Sequence, residues 1–131
     1  MDLSASTPRL RREQVAGMNI HYIMWSLDYF LDAQQRLGFK TIELWAAEPH
    51  VTLDHTGYFE ADELRRKIES RGLSVSSLCP ENVVYPWQYA ARKPLHAQRS
   101  LAYFKHGIEL AEVLGAPYMS INSCLLYTSD A

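Results

Sequence analysis

The sequence predicts an α/β fold, the N-terminal half of a (β/α)8 barrel with about four parallel strands and three crossover helices. Three segments repeat one order, in which an amphipathic helix is followed by a glycine and then by a short β-prone run. Another β-prone run precedes the first helix, so strands and helices alternate, which is typical of parallel strands. Since no glycine-rich phosphate-binding turn follows the first strand, an open dinucleotide-binding sheet is disfavoured. A complete barrel takes roughly 250 residues, so four strands make about half of one.

The elements follow in order along the chain. The first strand is predicted within "MNIHYIMW", and the first helix, "SLDYFLDAQQRL", ends before Gly38. The second strand lies in "TIELW", and the second helix, "ADELRRKIES", ends before Gly72. The third strand lies in "LSVSSLC", and the third helix, "SLAYFKHGIELAEVL", ends before Gly115 and leads into the strand "YMSI". Each glycine is expected at the left-handed position that closes a helix.

Composition narrows the class of protein. The chain has 131 residues, of which 47% are hydrophobic and 21% charged, as in ordinary soluble domains. The formal net charge of −2 leaves no basic footprint for nucleic acid. No apolar run approaches the ~18 residues that a membrane span needs. Cys79 and Cys124 lack the spacing of a metal site, so we expect reduced thiols and a cytoplasmic location.

The two ends of the chain are interpreted separately from the barrel. Residues 1–16 form an N-terminal lead-in that is either native or the product of an early start codon, and residues 17–123 form the partial barrel. Residues 124–131, "CLLYTSDA", back-translate to TGT CTC TTA TAC ACA TCT GAC GCT, which resembles the transposase adapter used to build sequencing libraries. We therefore expect adapter read-through after about Ser123. The alternative is a genuine extension of the last strand.

Three stretches resemble one protein family. "LGFKTIELWAAEPH" is similar to the second-strand segment of the xylose-isomerase-like TIM barrels, the sugar phosphate isomerase/epimerase superfamily. "CPENVVYPWQYAARKP" resembles the third-strand loop of a branch near the fructoselysine 3-epimerase-like proteins. "SLAYFKHGIELAEVLGAPYMSINS" is similar to that branch's third helix and fourth strand. The resemblance covers roughly residues 17–123.

The resemblance implies an enzyme that epimerises or isomerises ketoses or sugar-amines with a divalent metal, most often Mn²⁺. The metal polarises a carbonyl and a carboxylate removes the neighbouring proton. In the family the metal ligands come from later strands, so we expect this chain to hold part of the substrate pocket, to contain neither catalytic nor metal-binding residues, and to be inactive alone. The expected partner is a small sugar, with no nucleic acid and no membrane. Self-association of the full-length protein stays open.

Candidate pocket residues lie at the carboxyl ends of the strands, where barrel active sites are built. For each of them a structural role is the alternative: packing at the barrel mouth, core packing of the indole, or hydrogen bonds within a loop. The six candidates are His21, Trp45, His50, Glu81, Tyr85 and Asn122.

Two further residues are interpreted as structural. On a strand, Glu43 points to the same side as Trp45, and in a barrel one such pair lines the interior. A buried carboxylate needs a partner, because burying it unpaired is costly. Glu43 is therefore interpreted as a structural interior carboxylate rather than as a catalytic group. Cys79 has no basic neighbour in sequence and is interpreted as a small apolar residue. Trp87 and Tyr85 are expected to form an aromatic lid or wall.

Two other functions compete with the epimerase. One is a polyol-binding relative that is non-catalytic or dehydratase-like. The other is a zinc-dependent endonuclease acting at abasic sites, which would need histidine ligands at the ends of the early strands. Here Cys79 and Pro80 end the third strand and Asn122 and Ser123 the fourth, and the net charge gives no phosphate footprint.

Overall fold

The computed structural model describes residues 10–81, 87 and 91–121. Its central sheet holds three parallel strands in the order β1 (Gly17–Met18), β2 (Thr41–Ala46) and β5 (Ser74–Pro80). A fourth parallel segment joins at Met119, which bridges to Leu78. Four parallel segments thus lie side by side in chain order, which confirms the predicted α/β architecture of a partial barrel.

Three helices connect these strands: α1 (Leu27–Leu37), α2 (Ala61–Glu69) and α3 (Pro94–Val113). α1 begins after Ser26, whose Oγ accepts the Tyr29 backbone N–H at 3.2 Å. The glycines that follow the three helices all have positive φ, at 77°, 67° and 67°, which confirms their predicted role. α3 begins with a proline in its first turn, upstream of the predicted start at Ser100.

The first strand is much shorter than predicted. Only Gly17–Met18 pairs with β2, and a 3-10 turn spans Asn19–Tyr22. The side chain of Asn19 explains the change, because its amide bonds both backbone polar groups of Trp45. The side chain thereby replaces the main-chain partner that a longer β1 would have supplied, and the backbone leaves the sheet.

A small antiparallel hairpin was not predicted. It joins β3 (Leu53–Asp54) to β4 (Gly57–Tyr58) in the segment after β2 and packs against α3. The Asp54 carboxylate accepts the Thr56 backbone N–H and hydroxyl, both at 2.6 Å, and the Gly57 N–H at 3.2 Å. The Thr56 hydroxyl, together with both backbone N–H groups, lowers the pKa of Asp54.

The core lies between one face of the sheet and the helices. Burial along β2 alternates strictly, so every second residue faces the helices and the others face away. The fully buried residues of this layer include Phe30, Leu31, Ile42, Leu44, Leu78, Tyr103 and Leu110. The sheet therefore has one face that the helices cover and one that they do not.

A bulge in β5 sets which side chains reach each face. β2 pairs Ile42 with Val75 but Glu43 with Ser77, so Ser76 is an extra residue in β5. The Ser76 hydroxyl donates to the Ile42 carbonyl at 3.0 Å. Since the bulge inserts one residue, Leu78 points to the helices like Val75, although the two are three positions apart.

Arg71 ties α1 to the end of α2. Its guanidinium lies 2.6 Å from the Asp32 carboxylate and 2.9 Å from that of Asp28, and it donates to the Lys67 carbonyl at 3.0 Å. The Arg71 side chain is 19% exposed, whereas Arg65, which pairs with Glu69, is 50% exposed. The Arg71 contacts are thus less screened by water than those of Arg65.

We expect Arg71→Met to lower the free energy of unfolding by about 1 kcal/mol, because a charge-assisted cluster between two helices is lost. Arg65→Met is the control: it removes an exposed pair with Glu69 and a 3.2 Å bond to the Val113 carbonyl, and it should cost less than about 0.5 kcal/mol. Urea unfolding followed by circular dichroism measures both. Equal losses in the two variants would show that Arg71 does not hold the helices together.

Candidate functional site

The face of the sheet turned away from the helices is polar. Its side chains come from β2, from β5 and from the two segments that follow β5 and α3. We call this set the polar face; it consists of Glu43, Trp45, Ser77, Cys79, Glu81 and Ser120, all half-buried. Trp45 and Glu81 mark its upper end, at the carboxyl ends of β2 and β5, where active sites of parallel barrels are built.

Trp45 and Glu81 are bonded to each other. The indole Nε1–H donates to the Glu81 Oε2 at 2.8 Å. The register pairs Trp45 with Cys79, so Glu81 lies two residues further along the same side of the chain. The structure thus brings together two of the predicted pocket residues and orients an aromatic ring and a carboxylate at one edge.

Glu43 lies lower on the polar face and has a partner, as its interpretation as an interior carboxylate requires. The Ser120 hydroxyl donates to its Oε1 at 3.2 Å, and the hydroxyls of Ser120 and Ser77 lie 3.0 Å apart. These bonds connect three parallel segments across the face. Hydrogen bonds of this kind compensate the desolvation of a half-buried carboxylate.

Cys79 lies between the two carboxylates. Burial raises the pKa of its thiol to about 11, with further contributions from the negative charges of Glu43 and Glu81. The thiol is therefore protonated at neutral pH, and the thiolate is the reactive form. This supports the interpretation of Cys79 as a small apolar residue.

His50 is held by both ring nitrogens. Its Nδ1 lies 3.0 Å from the Asn19 Nδ2, and its Nε2 lies 2.9 Å from the Trp25 carbonyl oxygen. The ring also lines a surface cleft of about 320 Å³ between the segment before α1, the loop after β2 and the start of α2. Both ring nitrogens of His50 therefore have hydrogen-bond partners within the protein.

The other predicted residues are placed as follows. His21 is exposed in the 3-10 turn, so its predicted place at the end of a strand is wrong. Tyr85 and Asn122 lie outside the described residues. The Trp87 ring stacks on Tyr103 of α3 at 4.5 Å and 8°, so it packs against the outer helix layer.

Sequence reasoning missed Asn19, which is fully buried. The one signal in the sequence is an asparagine inside an apolar run, a residue type that strands disfavour. Nothing in the sequence identifies Trp45 and His50 as its partners.

The metal that the resemblance implies can be tested against the donor groups. Within residues 10–81, 87 and 91–121, no three His, Cys, Asp or Glu side chains form a group that could hold a metal ion. Glu43 and Glu81 each accept a hydrogen bond from the protein instead. The described residues do not fit a Mn²⁺ centre, and Mn²⁺ stays a prediction. None of the helices in that part of the chain has the length and apolar character of a membrane span.

Comparison with known proteins gives one match. The model of the family described as "Xylose isomerase-like TIM barrel" matches residues 31–128. This range includes β2, β5, α2, α3 and the whole polar face. No curated protein and no solved structure matches the chain.

We expect the Cys79 thiol to react slowly with iodoacetamide. In a Cys124→Ser background, its alkylation at pH 8 should be ~100-fold slower than that of an ordinary thiol and should accelerate as the pH approaches 11. Removing both negative charges in Glu43→Gln/Glu81→Gln should lower the pKa of the thiol and raise the rate. The same protein in urea is the control, and mass spectrometry measures the rates. Equal alkylation rates in folded and unfolded protein would contradict the raised pKa of the Cys79 thiol.

Proposed function

Because the chain belongs to the xylose isomerase-like TIM barrel family, we propose that its polar face is part of the sugar-binding pocket of an isomerase or epimerase. The family includes sugar isomerases and epimerases as well as endonucleases. The observation that carries the proposal is the Trp45–Glu81 hydrogen bond of 2.8 Å at the carboxyl ends of two neighbouring parallel strands. The proposed substrates are ketoses or sugar-amines, as in the branch near the fructoselysine 3-epimerase-like proteins.

The chemistry of this edge suits a polyol. The flat indole of Trp45 offers apolar area to the C–H groups of a sugar, while a carboxylate accepts hydrogen bonds from its hydroxyls. The bond between the two side chains restrains both before a ligand arrives, which reduces the ordering cost of binding. Glu43 extends the acceptor surface toward the floor of the polar face, where Ser77 and Ser120 supply hydroxyls.

The proposed reaction is the removal and return of a proton next to a carbonyl. The family resemblance supports a divalent metal for that step, but the described residues do not fit one. No catalytic step is therefore assigned to Glu43, Cys79 or Glu81. In this proposal their part is to bind and orient the sugar.

An endonuclease is the less suitable member of the family for this surface. The polar face holds two carboxylates, and none of its six residues is a lysine or arginine. Such a surface repels a phosphate backbone, since nucleic-acid affinity depends largely on neutralising phosphates. A non-catalytic polyol-binding protein is the second candidate, because the hydrogen-bonded Trp45 and Glu81 suit a polyol whether or not a reaction follows.

We expect Glu81→Gln to weaken sugar binding roughly tenfold, because a charged acceptor becomes a neutral one. Trp45→Phe should weaken sugar binding by a similar factor, because the hydrogen bond from the indole to Glu81 is lost. The measurement is a titration of the 131-residue chain with D-fructose and 1-amino-1-deoxyfructose, followed by NMR. Glu109→Gln, an exposed glutamate of α3, is the matched control and should bind like wild type.

A wild-type chain that binds neither sugar, or equal binding by all three variants, would refute the proposed pocket. Hydrogen exchange next to the carbonyl in D₂O, with and without Mn²⁺, separates the two candidates when it is measured on a complete barrel that carries this segment, because no catalytic step is assigned to the described residues. Exchange identifies an isomerase or epimerase. Binding without exchange supports the polyol-binding alternative.

A further inference from the structure

Asn19 is the most completely buried polar side chain of the sheet region, with 0% of its surface exposed. Its Oδ1 accepts the backbone N–H of Trp45 at 2.7 Å. Its Nδ2 lies 3.0 Å from the Trp45 carbonyl oxygen and 3.0 Å from the His50 Nδ1. Both hydrogens of the amide and one lone pair of its oxygen are therefore engaged.

The backbone of Trp45 permits one orientation of this amide. A flipped Asn19 would place its NH₂ group against the Trp45 N–H and its oxygen against the Trp45 carbonyl. Two favourable contacts would become repulsive. The second hydrogen of Nδ2 must therefore point at the His50 Nδ1, which has to be the unprotonated, accepting nitrogen.

The tautomer of His50 follows from its two partners. Nδ1 accepts from Asn19, and Nε2 faces a carbonyl oxygen that can only accept. The neutral ring therefore carries its proton on Nε2 and donates to Trp25. Asn19 thus connects the end of β1 to the end of β2, and through His50 to the segment before α1.

We propose that Asn19 is a positioning residue of the candidate pocket. It fixes His50 as the Nε2–H tautomer and holds the end of β2 so that the Trp45 indole reaches Glu81. The proposal rests on the proposed function in one respect, that Trp45 and Glu81 contact the sugar. The hydrogen-bond geometry stands without it.

The chemistry of the amide explains why asparagine is needed. An aspartate could accept from the Trp45 N–H, but it would repel the Trp45 carbonyl and could not donate to His50. A leucine would leave buried polar groups of both partners unpaired, which is costly. We therefore expect Asn19→Asp to place a proton on the His50 Nδ1, where the carboxylate would accept it, while the Nε2–H keeps its bond to the Trp25 carbonyl.

The test is ¹⁵N NMR of the histidine rings and of the tryptophan indole N–H groups in the full 131-residue chain. His50→Gln identifies the His50 signals. The wild type should show the Nε2–H tautomer, and Asn19→Asp should show a proton on Nδ1, a shifted Trp45 indole signal and roughly tenfold weaker sugar binding. Leu31→Ala, a buried substitution in α1, is the control for general destabilisation and should keep the tautomer, the indole signal and the affinity.

The outcomes are distinguishable. A proton on Nδ1 in the wild-type protein overturns the proposal. This measurement does not depend on whether any variant folds. Asn19→Asp with an unchanged tautomer, indole signal or affinity overturns the positioning role. Should the wild type bind no sugar while the NMR changes occur as expected, the geometry stands and the proposed function fails.

Discussion

The composition of the polar face depends on the bulge at Ser76. With regular alternation from Val75, residues 77, 79 and 81 would face the helices and Leu78 would face away. The extra residue reverses this order, because Glu43 pairs with Ser77 and Trp45 with Cys79. Leu78 is then fully buried, and Glu81 lies where the Trp45 indole can bond it. One inserted residue thus serves both the core and the candidate site.

The carboxylates affect the polar face in two ways. Their negative charges add to burial in raising the pKa of Cys79, so the centre of the face is an uncharged thiol at neutral pH. Each carboxylate also accepts a hydrogen bond from a neighbouring strand or segment. The result is a surface rich in acceptors and without a strong nucleophile, which suits the binding of hydroxyl groups.

Much of the fold could be predicted because its signals are local. The glycines after the helices are recognisable in the sequence, because glycine has no Cβ and adopts the left-handed conformation without steric cost. The alternation in "TIELW" predicted that Glu43 and Trp45 share a side. The pairing of Trp45 with Glu81 could not be predicted, because it depends on the register between β2 and β5. That register depends in turn on the bulge within the two serines of "SVSSLC".

The failures in the first strand and in the segment after β2 have one physical cause. "MNIHYIMW" has the apolar residues of a strand, but a buried side chain, Asn19, takes the place of main-chain pairing. In the segment after β2, the Asp54 carboxylate closes the turn of the hairpin by accepting the backbone N–H groups of Thr56 and Gly57. In both places a side-chain amide or carboxylate substitutes for backbone hydrogen bonds. The strand propensities of the residues do not predict such a substitution.

His50 shows how this bears on reading a site from sequence. A histidine after a barrel strand invites assignment to the substrate, because loops at that end carry function. Both its nitrogens are instead engaged with Asn19 and Trp25, and those contacts fix one neutral tautomer. The ring therefore joins two loops at the carboxyl end of the sheet. In the proposed pocket, contact with a sugar would fall to Trp45 and Glu81, which are bonded to each other at 2.8 Å.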